Sequence, residues 1–133
     1  MTFHIPGPPV PKARPRVVNG HAYTPQRTTD YERTVQWCYR AAARNHLPLT
    51  VPCAVEMVFR FPVPASAQRK TMPDKIKAGD PYPHIPDTDN LVKSVTDALI
   101  GLAYTDDALV VQITARKEYG DPGAEVTIRE ATP

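Results

Sequence analysis

Four aspartates and one lysine near the middle of the chain have the types and spacing to do chemistry. Asp87 and Asp89 sit one residue apart in Pro86-Asp87-Thr88-Asp89-Asn90-Leu91-Val92-Lys93. Lys93 follows Asp89 by one helical turn, and Asp106-Asp107 stands at the entrance of a predicted strand. With extended backbone at Asp87 and Asp89, alternate side chains point the same way, so both carboxylates reach one cation. Acids gathered beside a lysine repel one another unless something positive lies between them, and hard divalent cations such as Mg²⁺ take oxygen ligands. A metal there generates a hydroxide nucleophile and neutralises charge on a phosphate. Lys93 can then stabilise the pentacovalent phosphorus or the leaving oxygen. A plainer account covers part of the set: Asp89 suits a helix N-cap, and Lys93 suits an i, i+4 ion pair with it. That account leaves Asp87 and the later pair without a role. Asp97 continues the same stripe as a supporting acid. His84, just before the motif, is placed for phosphate contact or proton transfer, although a loop histidine usually does neither.

The charge is distributed unevenly. Residues 1–70 hold ten Lys/Arg against three acids, and residues 71–133 hold six against eleven. A basic half joined to an acidic half suggests a polyanion held by the first and worked on near the second. The cations available for phosphates are Lys12, Arg14, Arg16 and Arg27 in a Pro-rich arm, Arg33, Arg40 and Arg44 along one helix face, and Arg69 and Lys70 in a long loop. Prolines hold the arm partly extended, which spreads its charges along a line.

The elements that must position these residues follow from periodicity. Residues 2–6 read as a short strand. A helix is predicted over 30–45, opened by a Thr29-x-x-Glu32 capping box, with Tyr31, Val35, Cys38, Tyr39 and Ala42 on its apolar face. Residues 53–61 alternate as a strand, and 62–86 have no strong period. A second helix is predicted over 90–102, with Asp89 as its N-cap. Strands are expected over 108–117 and 124–130, joined through the turn Gly120-Asp121-Pro122-Gly123. The order indicates an α+β fold, a small mixed β-sheet with two helices packed on it.

A chain of 133 residues is expected to form one domain, 1–133. No apolar run approaches the ~18 residues of a membrane span. The N-terminus lacks a signal-peptide pattern, and Cys38 and Cys53 form no CxxC motif, so reduced thiols in the cytoplasm are expected.

The run from Pro86 to Leu99, followed by Asp106-Asp107, resembles the signature (K/R)PDxDNLxKxxxDAL…DD of RusA-type Holliday-junction resolvases. Gly7-x-Pro9-x-Pro11-Lys12-x-Arg14-Pro15-Arg16 and the stretch from Tyr23-Thr24-Pro25 to Tyr31-Glu32 resemble the phage and prophage branch of that family. The resemblance implies a homodimeric endonuclease that cuts two opposed strands of a four-way DNA junction. It implies Mg²⁺ as cofactor, with Mn²⁺ as a substitute, and no small-molecule cofactor. Asp87, Asp89 and Asp107 would be the metal-binding acids, Lys93 the catalytic lysine and Asp106 an auxiliary acid. Ile85 departs from the pattern, which often has a basic residue there. Two equivalent cut sites suit a two-fold dimer. The competing readings are a DNA-junction-binding protein without catalysis and a metal-dependent phosphoesterase on other nucleic-acid substrates. Intactness of the acids and Lys93 weighs against the first. The spread of the cations, with no compact nucleotide-binding loop, weighs against the second.

Overall fold

The structure, a computed structural model, describes residues 1–14, 16–68 and 75–133. Arg69 and Lys70 lie outside the described residues, as does the side chain of Arg16. Strand β1 (Thr2–Pro6) is followed by β2 (Arg16–Val18), β3 (His21–Tyr23), helix α1 (Gln26–Ala43) and strand β4 (Cys53–Phe61). A single turn, α2 (Ala65–Gln68), precedes helix α3 (Thr88–Ala98), and strands β5 (Val110–Tyr119) and β6 (Gly123–Glu130) complete the chain. The main sheet runs in the order β1-β6-β4-β5. It is mixed: β4 pairs antiparallel with β6 and parallel with β5. The expected α+β class with two long helices on one sheet is what the chain adopts.

Alternation in β4 explains the layering. Cys53, Val55, Met57, Phe59 and Phe61 are buried, whereas Glu56 is exposed and Arg60 half-buried, so one face of the sheet takes the helices. Tyr31, Val35, Tyr39 and Ala43 of α1 and Leu91, Val95 and Ala98 of α3 fill that face together with Phe3, Ile5 and Val126. Phe3 and Tyr39 meet edge to face at 5.6 Å.

Several expectations are corrected. Helix α1 begins four residues early, because Pro25 rather than Thr29 is its N-cap. No capping box forms. The Thr29 hydroxyl donates to the Pro25 carbonyl, and Glu32 turns to Lys12 instead. Helix α3 starts at Thr88 with Asp87 at the N-cap, so Asp89 lies in the first turn and does not cap. The β2–β3 hairpin is an unforeseen element. Its turn, Asn19-Gly20, has positive φ at both residues (52° and 78°), the two-residue hairpin geometry that Asn-Gly favours. No helix among the described residues is long and apolar enough to cross a membrane.

Candidate active site

Helix α3 opens on the acidic motif, and three residues, Lys12, Lys117 and Tyr82, hold that opening in place. The backbone N–H of Lys12 donates to the Asn90 carbonyl at 2.8 Å, docking the Pro-rich arm on the first turn. The Lys117 ammonium, on β5, donates to the carbonyls of His84 at 2.6 Å and Pro86 at 2.8 Å. Tyr82 stacks on Phe61 at 4.3 Å and donates to the Ile85 carbonyl at 3.2 Å. The loop before Asp87 is thus anchored to the sheet, while Asp87 and Asp89 themselves are exposed. Among the described residues Asp87 makes no side-chain cap bond, and Asp89 accepts only from the adjacent Asn90 N–H at 2.9 Å. Both carboxylates keep lone pairs free for a cation.

The second acid pair stands past the other end of α3. Tyr104, buried, donates to the Thr96 carbonyl at 2.6 Å and pins the loop that returns the chain from α3. Asp106 caps the short 3₁₀ turn Asp107–Leu109, accepting from the Ala108 N–H at 3.2 Å. That bond holds the Asp106 carboxyl below the usual carboxylate range. The Asp106 side chain beside it, then loss of solvent, then the charges of Asp106 and Asp97 push Asp107 up. Two exposed carboxyls on adjacent residues favour a positive charge near them.

The acids therefore fall into two groups. The eleven residues of α3 rise about 16 Å between them at ~1.5 Å per residue. The Pro86 carbonyl is held by Lys117, whereas Asp107 precedes Val110, and the seven strand steps between those two residues of β5 cover about 23 Å. Among the described residues no group of three or more His, Cys, Asp or Glu stands close enough to hold a metal ion. Within one chain the expected set Asp87, Asp89, Asp106 and Asp107 is split between the two ends of α3. Its donors suit Mg²⁺, which takes hard oxygens and keeps several waters. Asp87 and Asp89 flank Thr88 where the helix begins, so the extended backbone expected through Asp89 is replaced by a helical turn, and Asp106 and Asp107 stand past the helix end.

Between the pairs lies an ion network. Lys93 contacts Asp97 at 3.2 Å, where a pair with Asp89 was equally open to it by spacing. Asp97 is also 3.6 Å from Lys12, and Lys12 lies 2.5 Å from Glu32 of α1. Burial lowers the affinity of Lys12 for its proton, but the Glu32 hydrogen bond and the charges of Glu32 and Asp97 outweigh it and leave its pKa raised. Lys12, expected on DNA, is engaged inside the protein. Arg14, Arg27, Arg33, Arg40 and Arg44 are exposed, and among the described residues none pairs with a carboxylate. Lys117 and Tyr82 position the site without having been found by sequence reasoning, and Glu32, expected in a capping box, holds Lys12 instead. Lys117 lies 31 residues from Pro86, and no local pattern announces that contact.

A sequence model of the family described as Endodeoxyribonuclease RusA matches residues 6–129, a span that holds every acid named above. The chain is also 34% identical over 142 residues to the uncharacterized protein YqaN of Bacillus subtilis (strain 168), with 99% of this chain and 97% of that protein covered.

Proposed function

We propose, from the premise that the chain belongs to the RusA endodeoxyribonuclease family and is an endonuclease of the Holliday-junction-resolving kind, that it works in the cytoplasm as a homodimer, one domain per chain, and nicks two opposed strands of a four-way junction with Mg²⁺. We infer further that each active site joins Asp87 and Asp89 of one chain to Asp106 and Asp107 of the other.

The observation that carries this reading is the placement of the two acid pairs at opposite ends of α3. A second copy related by a two-fold axis can bring one chain's first pair to its partner's second, twice over. The open part of β5 supports a seam there. Its far end is covered by the segment around 79–82, through the Gly79, Tyr82 and Tyr119 backbone bonds. Val111 and Ile113 are exposed on the half near Asp107, and Ile100 is exposed close by. An uncovered edge strand with apolar side chains is a pairing surface.

When bound, Mg²⁺ would supply an activated water and neutralise charge on the scissile phosphate. Lys93, on an exposed side chain held among the described residues by Asp97 alone, can turn to the phosphate and stabilise its developing charge. Arg14 and Arg27 line one cleft of about 400 Å³ between the arm and the start of α1, suited to holding backbone phosphates.

The test is complementation. Asp87→Asn and Asp107→Asn chains, each inactive alone on a synthetic four-way junction in Mg²⁺, should recover single-strand nicking when mixed. One of the two sites in the mixed dimer is then intact. No recovery from folded, subunit-exchanging proteins would refute the shared site. Undiminished cutting by Asp89→Asn would refute the metal assignment.

A further inference from the structure

Helix α1 carries the chain's one tryptophan on its outer face, 73% exposed. At ~100° per residue, Arg33, Trp37 and Arg40 fall within about 60° of one another, and Arg44 follows as the C-cap, where a φ of 54° takes its side chain off the helical wheel. Arg33, Trp37 and Arg40 are successive neighbours at i+4 and i+3. Among the described residues nothing stacks on the Trp37 ring, and no cation covers it. The stripe adjoins the edge of α1 that faces α3, where Gln36 donates to the Ala98 carbonyl at 3.2 Å and Glu32 holds Lys12.

We propose that Trp37 is a stacking platform for an unpaired nucleobase, with Arg33, Arg40 and Arg44 holding the phosphates on either side of it. Charge complementarity selects the occupant. Three arginines without carboxylate partners call for a polyanion, and an uncovered aromatic face among them calls for a planar apolar group. A nucleic-acid strand with a base out of its stack supplies both. From Arg33 to Arg40 the helix rises about 10 Å, the length of about three nucleotides at ~3.4 Å each. A second copy of this chain is a poor occupant, because two-fold pairing of this face would gather six arginines, while the two acids of α1 are engaged within the chain, Asp30 by Gln26 at 2.7 Å and Glu32 by Lys12. The inference deepens the nuclease reading by naming a base contact, and it rests on DNA being the ligand.

The experiment reads Trp37 directly, since all tryptophan fluorescence of the chain comes from it. In EDTA, where no cutting occurs, a four-way junction or a single-stranded oligonucleotide should quench the emission, and a blunt duplex should quench it far less. Trp37→Ala should lose roughly ten- to hundredfold in junction affinity with its salt dependence unchanged, and Trp37→Phe should recover most of it. Arg40→Gln should instead lower the salt slope by about 1. Unchanged emission in a saturated complex, or equal affinity of Trp37→Ala, would overturn the proposal. So would a change of oligomeric state in Trp37→Ala, which would give the face to a chain–chain contact. Junction binding with quenching but no cleavage in Mg²⁺ would defeat the nuclease reading and leave the stacking site standing.

Discussion

Lys117 donates to the carbonyl oxygen of Pro86 at 2.8 Å, so a lysine on the edge strand grips the peptide that leads into Asp87. The same ammonium holds His84 and lies 5.7 Å from the centre of the Tyr82 ring. Replacing Lys117 with Met keeps its aliphatic stem and removes the donors. We expect half-saturating Mg²⁺ for cleavage to rise about tenfold, as for other groups that orient metal ligands. Urea melts should show a loss of about 1–2 kcal/mol. Cleavage rates titrated with Mg²⁺ would expose an idle lysine by leaving the midpoint unmoved.

Lys12 is a strut joining the arm, α1 and α3. Lys12→Met strands half-buried Glu32 and should cost about 1–3 kcal/mol. It should leave the salt slope of DNA binding unchanged, whereas Arg14→Gln lowers it by about 1. The raised pKa sets the pH window. The contribution of Lys12 is fully present below its unfolded value near 10.5 and is lost as pH rises through the higher folded value. Melting curves of wild type and Lys12→Met should therefore stay separated at neutral pH and converge only in strong alkali.

Asp107→Asn separates function from stability. The folded protein raises the pKa of Asp107, so its ionisation opposes folding: what stability it lends is present at low pH and is lost as pH rises through the folded value. At neutral pH, removing the charge should leave the melting temperature equal or slightly higher while cleavage is abolished. A clear drop in melting temperature would mean that Asp107 is a structural acid.

Tyr31 is buried in the core, and its hydroxyl has no hydrogen-bond partner among the described residues. Burial, and after it the neighbouring Cys38, raises its pKa. Tyr31→Phe removes a buried polar atom that receives no compensation, so stability should be unchanged or gain up to about 1 kcal/mol. Calorimetry that showed a loss above 1 kcal/mol would reveal a partner for the hydroxyl.

The elements that alternate or repeat strongly were legible in the sequence. Strand β4 matches its expected bounds because Val55, Met57, Phe59 and Phe61 alternate against Glu56 and Arg60. Helix starts were less legible. Thr29 and Glu32 satisfy a capping-box pattern, yet Pro25 begins the helix earlier and Lys12, twenty residues away, takes the glutamate. Asn19-Gly20 carried a hairpin signal masked by the Pro-rich composition around it. The acids were readable as a set, and their partition was not. It depends on β5 running parallel to β4, which places Asp107 and Asp87 at opposite ends of one crossover. Long-range pairing of that kind leaves no mark on local periodicity.

Helix α3 is also a measure of length. In the proposed dimer its eleven residues set how far each chain's opening acids stand from its closing ones, and thereby the span between two cutting centres. A spacer of fixed length matches one separation between scissile bonds. A four-residue insertion within α3 would lengthen it by about 6 Å and turn its far end through about 40°. Such a chain could fold and pair, and still address two phosphates that a four-way junction does not present together.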